Sequence, residues 1–212
     1  MRNSFEKNYK INDKVIQTVD YHKHLGVTYD LKMVVNIQCK EIISKSIQKF
    51  NFLKIICRRV NAKTFLILYK TFILPLIEYS NNCWVSTNSQ INDLEKVQKK
   101  ITKYIFFKLG KTELNYNQRF KLLDIKSIEF RRKFSALKLL YNLKNRPDTN
   151  FQNWLEYFQF YQTSRNGIFI KTTLRRIDKT DKFLLNYCIK PFNGLPNFIR
   201  NDFTLKSIFE FL

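Results

Sequence analysis

Lys96, Lys99, Lys100 and Lys103 carry four ammonium groups within eight residues, spaced by three and four. That spacing lines them along one side of a helix. A row of mobile cations suits contact with phosphates that leaves base identity unread. Arg58–Arg59 and Arg131–Arg132 offer the same chemistry, and Arg175–Arg176 repeats the pair in a less regular stretch. The plain alternative for each group is a solvated helix face. His22 and His24 have no third ligand at helical or turn spacing, so no metal site is expected. They also lack a neighbouring nucleophile motif, and no catalytic residue is assigned. Tyr69, Tyr79 and Trp84 can stack on bases, but their place on an apolar helix points to core packing.

Composition supports the phosphate reading. Lys and Arg number 38 against 17 Asp and Glu, a net charge of +21, which repels itself in a compact chain unless a polyanion is near. Nucleic acid is the expected partner rather than a membrane, because the cations are spread along the whole chain. No apolar run approaches 18 residues, so no membrane span is expected. Cys39, Cys57, Cys83 and Cys188 form no C-x-x-C pair and follow no signal-peptide pattern, which predicts reduced core thiols. The 20 Phe and 11 Tyr argue against disorder, and four Gly and four Pro favour long helices.

The elements that must position these residues follow from periodicity. Lys14–Asp20 alternates like a strand, and His24–Tyr29 looks like its partner across a turn at Asp20–Lys23. From Val34 to Arg59, Ile43, Ile47, Phe50, Leu53 and Cys57 share a helical face. Asn61 can cap a helix from Ala62 to Tyr79, which Pro75 should kink. Gln90–Phe107 is a third helix, apolar along Ile91, Leu94, Val97, Ile101, Tyr104 and Ile105. Asp93 and Glu95 sit near its N-terminus, where the dipole favours them, and Gly110 can end it. A short helix over Asn117–Leu123 precedes a longer one, Ile128–Lys144, capped by Ser127. Phe130, Phe134, Leu137, Leu140 and Tyr141 are expected inward there. Residues 145–150 read as a linker. Beyond it come short helices at Phe151–Phe160, Lys182–Ile189 and Asp202–Leu212, with loop or strand at Ser164–Thr173 and a breaker-rich turn at Pro191–Pro196. The expected fold is mainly α: a helical bundle with a short N-terminal β-hairpin and an irregular C-terminal subdomain.

In order along the chain, several segments resemble reverse transcriptases of non-LTR (LINE-type, jockey-like) retrotransposons, in the region after the catalytic palm. His24-Leu-Gly-Val27 is similar to the family's aromatic-Leu-Gly-(Val/Ile) hairpin, with His where Tyr is common. Leu68-Tyr-Lys70, Pro75, Glu78-Tyr79 and Trp84 match its thumb block, L-Y-K-x-x-x-x-P-x-x-E-Y-x-x-x-x-W. Leu94-Glu-Lys-Val-Gln-Lys-Lys-Ile101 looks like the following L-E-x-x-Q helix. Arg119 to Leu123 with Ser127-Ile-Glu129 and Arg131-Arg132 resembles the R-x-x-x-L…S-L-E-x-R-R segment. Phe192-Asn-Gly-Leu-Pro196, with Ser207 and Phe209, resembles the W-N-x-L-P…S-x-x-x-F ending, Phe192 replacing Trp.

The resemblance implies three divisions: an end-of-palm hairpin (1–31), a helical thumb-like domain (32–145) and a C-terminal subdomain (146–212). It implies a primer-grip role for Leu25, Gly26 and Val27. Template–primer backbone contacts would fall to Lys96, Lys99, Lys100, Lys103, Arg58, Arg59, Arg131 and Arg132. The family's polymerase centre is an acidic triad on the palm holding two metal ions. This sequence has no Asp-Asp pair. No polymerase activity is therefore expected from the chain alone, and Mg2+ is expected only with the palm. The implied partners are RNA or an RNA–DNA hybrid and the palm and fingers portion of the parent polyprotein, inside the cell, nuclear or cytoplasmic. The chain would be a truncated or degenerate copy, or a fragment of a longer gene. The alternative is a non-functional transposon remnant or a basic helical protein-interaction module whose charge reflects codon usage.

Overall fold

The structure, a computed structural model, describes residues 9–30, 35–84, 86–145, 158–163, 167–172 and 184–212. The fold is mainly α, with three two-stranded antiparallel hairpins among the described residues. A small exposed hairpin pairs β1 (Lys10–Ile11) with β2 (Lys14–Val15). The next pairs β3 (Tyr21–His24) with β4 (Val27–Asp30). The turn of this second hairpin is Leu25–Gly26, not Asp20–Lys23 as the alternation suggests. Both turn residues have positive φ, +46° and +80°, the geometry that a tight two-residue hairpin requires and that Gly26 makes accessible.

Helix α1 (Asn36–Ile56) packs on β4 and on the later helices. Its buried stripe is Gln38, Cys39, Ile42, Ser46, Phe50 and Leu53, rotated from the expected face. Ile43 and Ile47 lie at the flank of the core and Cys57 just beyond the helix end. Gln38 explains part of the rotation: its Oε1 accepts the Thr28 amide at 2.9 Å and so fastens the hairpin to the helix.

Asn61 caps α2 (Ala62–Leu68), accepting from the Thr64 amide at 2.8 Å. The single kinked helix expected to Tyr79 is interrupted instead by a π-helical turn over Tyr69–Ile73, followed by α3 (Leu74–Glu78). Pro75 has no N–H to give Thr71, and its ring presses on that carbonyl. One wider turn absorbs the mismatch without breaking the axis.

A capping box of Thr87 and Gln90 starts α4 (Asn88–Lys108). It ends at Gly110, whose φ of +70° allows the Lys111 amide to reach the Phe106 carbonyl at 3.0 Å. A second capping box, Asn115 with Gln118, starts α5 (Tyr116–Leu123). Ser127 caps α6 (Ile128–Asn145) through the Phe130 amide at 3.1 Å.

Two cores share α6. Its first residue, Ile128, closes the core of α1 to α5 with Phe65, Tyr69, Ile77, Trp84, Leu94 and Ile101. Ala136, Leu137, Leu140 and Leu143 instead enter a second core. That core also receives β5 (Phe158–Thr163), β6 (Gly167–Thr172), α7 (Leu184–Asn193), α8 (Asn197–Asp202) and α9 (Leu205–Phe211). Residues 158–160, expected as the end of a helix, are strand paired to 170–172; 151–157 and Arg175–Arg176 lie outside the described residues. The breaker-rich turn begins later than expected, since Pro191 to Asn193 continue α7. Asn193 then pairs its amide with both the N–H and the carbonyl of Ile170, at 2.9 Å each. Phe203, with φ +37°, divides the last helical segment in two. Cys39 and Cys188 are buried thiols outside any disulfide, whereas Cys57 is half-buried and Cys83 exposed rather than in the core as expected; burial pushes the Cys188 pKa up to about 12, which keeps it protonated.

The first core is organised by one carboxylate. Glu95 is 8% exposed. Its Oε2 accepts the Ile128 amide at 2.7 Å, which puts a negative charge on the N-terminus of α6. Its Oε1 accepts from the Tyr116 hydroxyl and from Gln98 Nε2, the latter at 3.2 Å. Gln98, fully buried, accepts from Tyr69 at 2.5 Å and donates to the Lys126 carbonyl at 3.2 Å. Burial raises the pKa of both tyrosines, and for Tyr116 the hydrogen bond to Glu95 adds to it. Removing the carboxylate leaves buried donors from α4, α5 and α6 unpaired. Glu95→Ala is expected to lower unfolding free energy by about 3 kcal/mol in urea titration, with Glu95→Gln intermediate.

Candidate nucleic-acid interface

All four lysines of the α4 row are exposed on the side of the helix opposite Leu94, Val97, Ile101 and Ile105. Lys96 pairs with Asp93 at 2.7 Å, an exposed contact worth little. Lys99 lies 4.9 Å over the Tyr116 ring. Among the described residues no carboxylate pairs with Lys100 or Lys103. The row ends at Phe107, three turns beyond Lys96 and 65% exposed.

Arg58 and Arg59 are brought to the same end of the bundle. They occupy the turn after α1, and Lys108 at the end of α4 donates to the Arg58 and Val60 carbonyls at 2.9 and 2.8 Å. Lys54 and Lys108 both sit over the Tyr104 ring, at 5.4 and 5.6 Å. Burial raises the Tyr104 hydroxyl, and the nearby Arg58 opposes it. The seam between α1 and α4 is thus lined by cations that spacing alone did not single out. Lys108 lies one helical turn past Tyr104, and the carbonyls it meets belong to the turn after α1, so its role depends on contacts remote in sequence.

Arg131 and Arg132 do not join this surface. Arg131 bridges Glu78 at 2.7 Å and donates from Nε to the Lys126 carbonyl. Arg132 is 3% exposed and lies 3.9 Å over the Trp84 ring, so no phosphate reaches it. Burial pushes its pKa down, opposed by Tyr187 and Cys39. The pair predicted as a phosphate contact is an internal fastening, because an adjacent pair on a helix points two ways and one of these positions faces the core.

The hairpin divides similarly. Leu25 is 78% exposed at the tip, Gly26 is exposed beside it, and Val27 is buried at 2%. Val27 anchors the hairpin and is not available to a strand of nucleic acid. Tyr79 donates to the Leu25 carbonyl at 2.7 Å, and its ring lies 3.3 Å from where a Cβ on Gly26 would stand. Trp84 Nε1 in turn donates to the Tyr79 carbonyl at 3.2 Å. His22 and His24 are ring neighbours at 6.5 Å, and among the described residues no three His, Cys, Asp or Glu gather as metal ligands. No described helix is long and apolar enough to cross a membrane.

No family model, curated protein or solved structure matches this chain. What the chain itself supplies is the pairing among its motif segments. Tyr69 meets Gln98, Glu78 meets Arg131, Trp84 meets Arg132 and Tyr79 meets the Leu25–Gly26 turn. Gly26→Ala forces a side chain into left-handed backbone against the Tyr79 ring, an expected cost of about 1–2 kcal/mol. Tyr79→Phe should cost about 1 kcal/mol. Both should accelerate amide exchange in β3 and β4 while α4 amides stay protected.

Proposed function

We propose that this chain is the thumb and C-terminal region of a non-LTR retrotransposon reverse transcriptase and that it holds a template–primer, RNA or RNA–DNA hybrid, by its backbone. The observation that carries this reading is the mutual pairing of residues from separate motif segments. Side chains that match the family in type and spacing are partners of one another, so the likeness corresponds to one coherent three-dimensional arrangement. The binding surface is the exposed lysine row of α4, continued by Arg58 and Arg59 at its C-terminal end. Lysine heads on flexible stems follow phosphates without reading bases. On this reading the exposed Leu25–Gly26 turn, whose Leu25 carbonyl accepts from Tyr79, is the element that touches the growing strand.

On this reading the chain performs no polymerisation by itself. The acidic triad and its Mg2+ belong to the palm, which together with the fingers is the protein partner, and the site of action is inside the cell. The lysine row grips and orients; it moves no proton and forms no bond.

The test is a filter-binding titration of an RNA–DNA hybrid at several salt concentrations. With about five phosphates neutralised, log affinity should fall against log salt with a slope of about −4.5, roughly 500-fold between 50 and 200 mM. Reversal of all four lysines (Lys96→Glu, Lys99→Glu, Lys100→Glu, Lys103→Glu) should flatten the slope to about −1. Arg132→Leu should change stability and leave the slope alone. A flat response in the unaltered protein, or a quadruple variant that binds as well, overturns the proposal and leaves a basic helical module without this function.

A further inference from the structure

A groove of about 510 Å³ opens where the end of α3, the loop before α6, α6 itself and α9 meet, and its lining includes no residue of α4. Its volume lies within the range of small-ligand sites. Three phenylalanines line it. Phe209, on α9, meets Phe130 and Phe134 edge-on, each at 5.3 Å, and stays 44% exposed. The Lys126 ammonium lies 5.2 Å from the Phe130 ring centre and 5.3 Å from that of Phe209.

Charge selects what fits. Glu78 in the wall is already compensated by Arg131 at 2.7 Å. The remaining charges on the groove are Lys126 and Lys138 against Asp124. The groove therefore combines a partly exposed aromatic ring, Phe209, with a surplus of cation, on a chain whose net charge of +21 concentrates polyanions around it. A flat, uncharged ring joined to a phosphate satisfies both features. A purely apolar ligand leaves the lysines unused, and a bare phosphate leaves the rings unused.

We infer that this groove holds one unpaired nucleotide of a bound strand, its base against Phe209 and its phosphate between Lys126 and Lys138. The ligand class rests on the nucleic-acid reading above. The groove adds a single-strand preference that the lysine row of α4, a backbone reader, cannot supply. Stacking on an aromatic face accepts any base, so the preference is for an unpaired base and not for a sequence.

The test compares three probes on the full chain by fluorescence anisotropy: an eight-nucleotide oligoadenylate, an abasic ribose-phosphate strand of the same length, and an RNA–DNA hybrid. The oligoadenylate should bind about fivefold or more tighter than the abasic strand. Phe209→Leu keeps the apolar volume on the last helix and removes the ring; it should abolish that difference and leave hybrid binding unchanged. Lys126→Gln with Lys138→Gln should weaken the oligoadenylate and leave the hybrid salt slope intact. Equal binding of the two single strands, or an unchanged preference in Phe209→Leu, overturns the inference. If the hybrid fails to bind while oligoadenylate binding remains sensitive to Phe209, the thumb reading falls and the groove stands. An acidic aromatic peptide that displaces oligoadenylate at lower concentration than the nucleotide does would assign the groove to protein instead.

Discussion

A carboxylate out of water must be surrounded by donors, and Glu95 obtains them from three different helices. An amide at the start of α6, a phenol at the start of α5 and a carboxamide on α4 converge on its two oxygens. Apolar contacts alone would leave these helices free to slide, since Leu, Ile and Phe pack acceptably in several registers. The charged acceptor removes that freedom, because any slip leaves a buried charge short of donors. Gln98 extends the same constraint to Tyr69 in the π-turn, so the irregular backbone before Pro75 is tied to the polar centre. The position of α6 follows, and with it the second core, which is built on the residues after Arg132.

The elements whose ends carry local signals were legible. Asn61, Ser127 and Gly110 each act through their immediate neighbours, and each does in the structure what its type implies. The α4 stripe was legible because Ile91, Leu94, Val97, Ile101 and Ile105, which mark it by spacing, are all buried. The α1 stripe was not: Gln38 and Ser46 are buried in it, and a pattern count treats them as surface. Glu95 illustrates the same difficulty. By position it belongs to the first turns of α4, where the dipole of that helix favours an acid. In the structure its carboxylate serves the N-terminus of a different helix, 33 residues on. Nothing in the local pattern distinguishes the two. The hairpin turn was misplaced for another reason: Leu25 adopts left-handed backbone, which its type disfavours, and the Tyr79 hydroxyl that holds its carbonyl lies 54 residues away.

The basic residues separate by type more cleanly than by sequence spacing. Among the described arginines, Arg119, Arg131, Arg132 and Arg200 are buried or half-buried. Arg119, Arg132 and Arg200 lie over the rings of Tyr116, Trp84 and Phe169, while Arg131 bridges Glu78. A guanidinium is planar and weakly hydrated, so it stacks and pairs inside a protein at lower cost than an ammonium. The four lysines of the α4 row keep their heads exposed and their stems on the surface. Arg58 and Arg59, on an exposed turn, are the described arginines that share the lysines' situation.

This division bears on how so large a positive charge coexists with a defined fold. Self-repulsion among exposed lysines is softened by water and salt. The inward arginines escape the problem differently, each facing a ring or a carboxylate. The two populations are thus decoupled. Charge on the outer face of α4 can be removed or reversed with little consequence for the cores, since none of its four lysines supports a buried contact across helices apart from the ring beneath Lys99. Charge at Arg131 and Arg132 cannot, since Glu78 and Trp84 depend on it. The outer face of α4 can therefore be altered without unfolding what lies beneath it, and two of its cations, Lys100 and Lys103, have no carboxylate partner among the described residues.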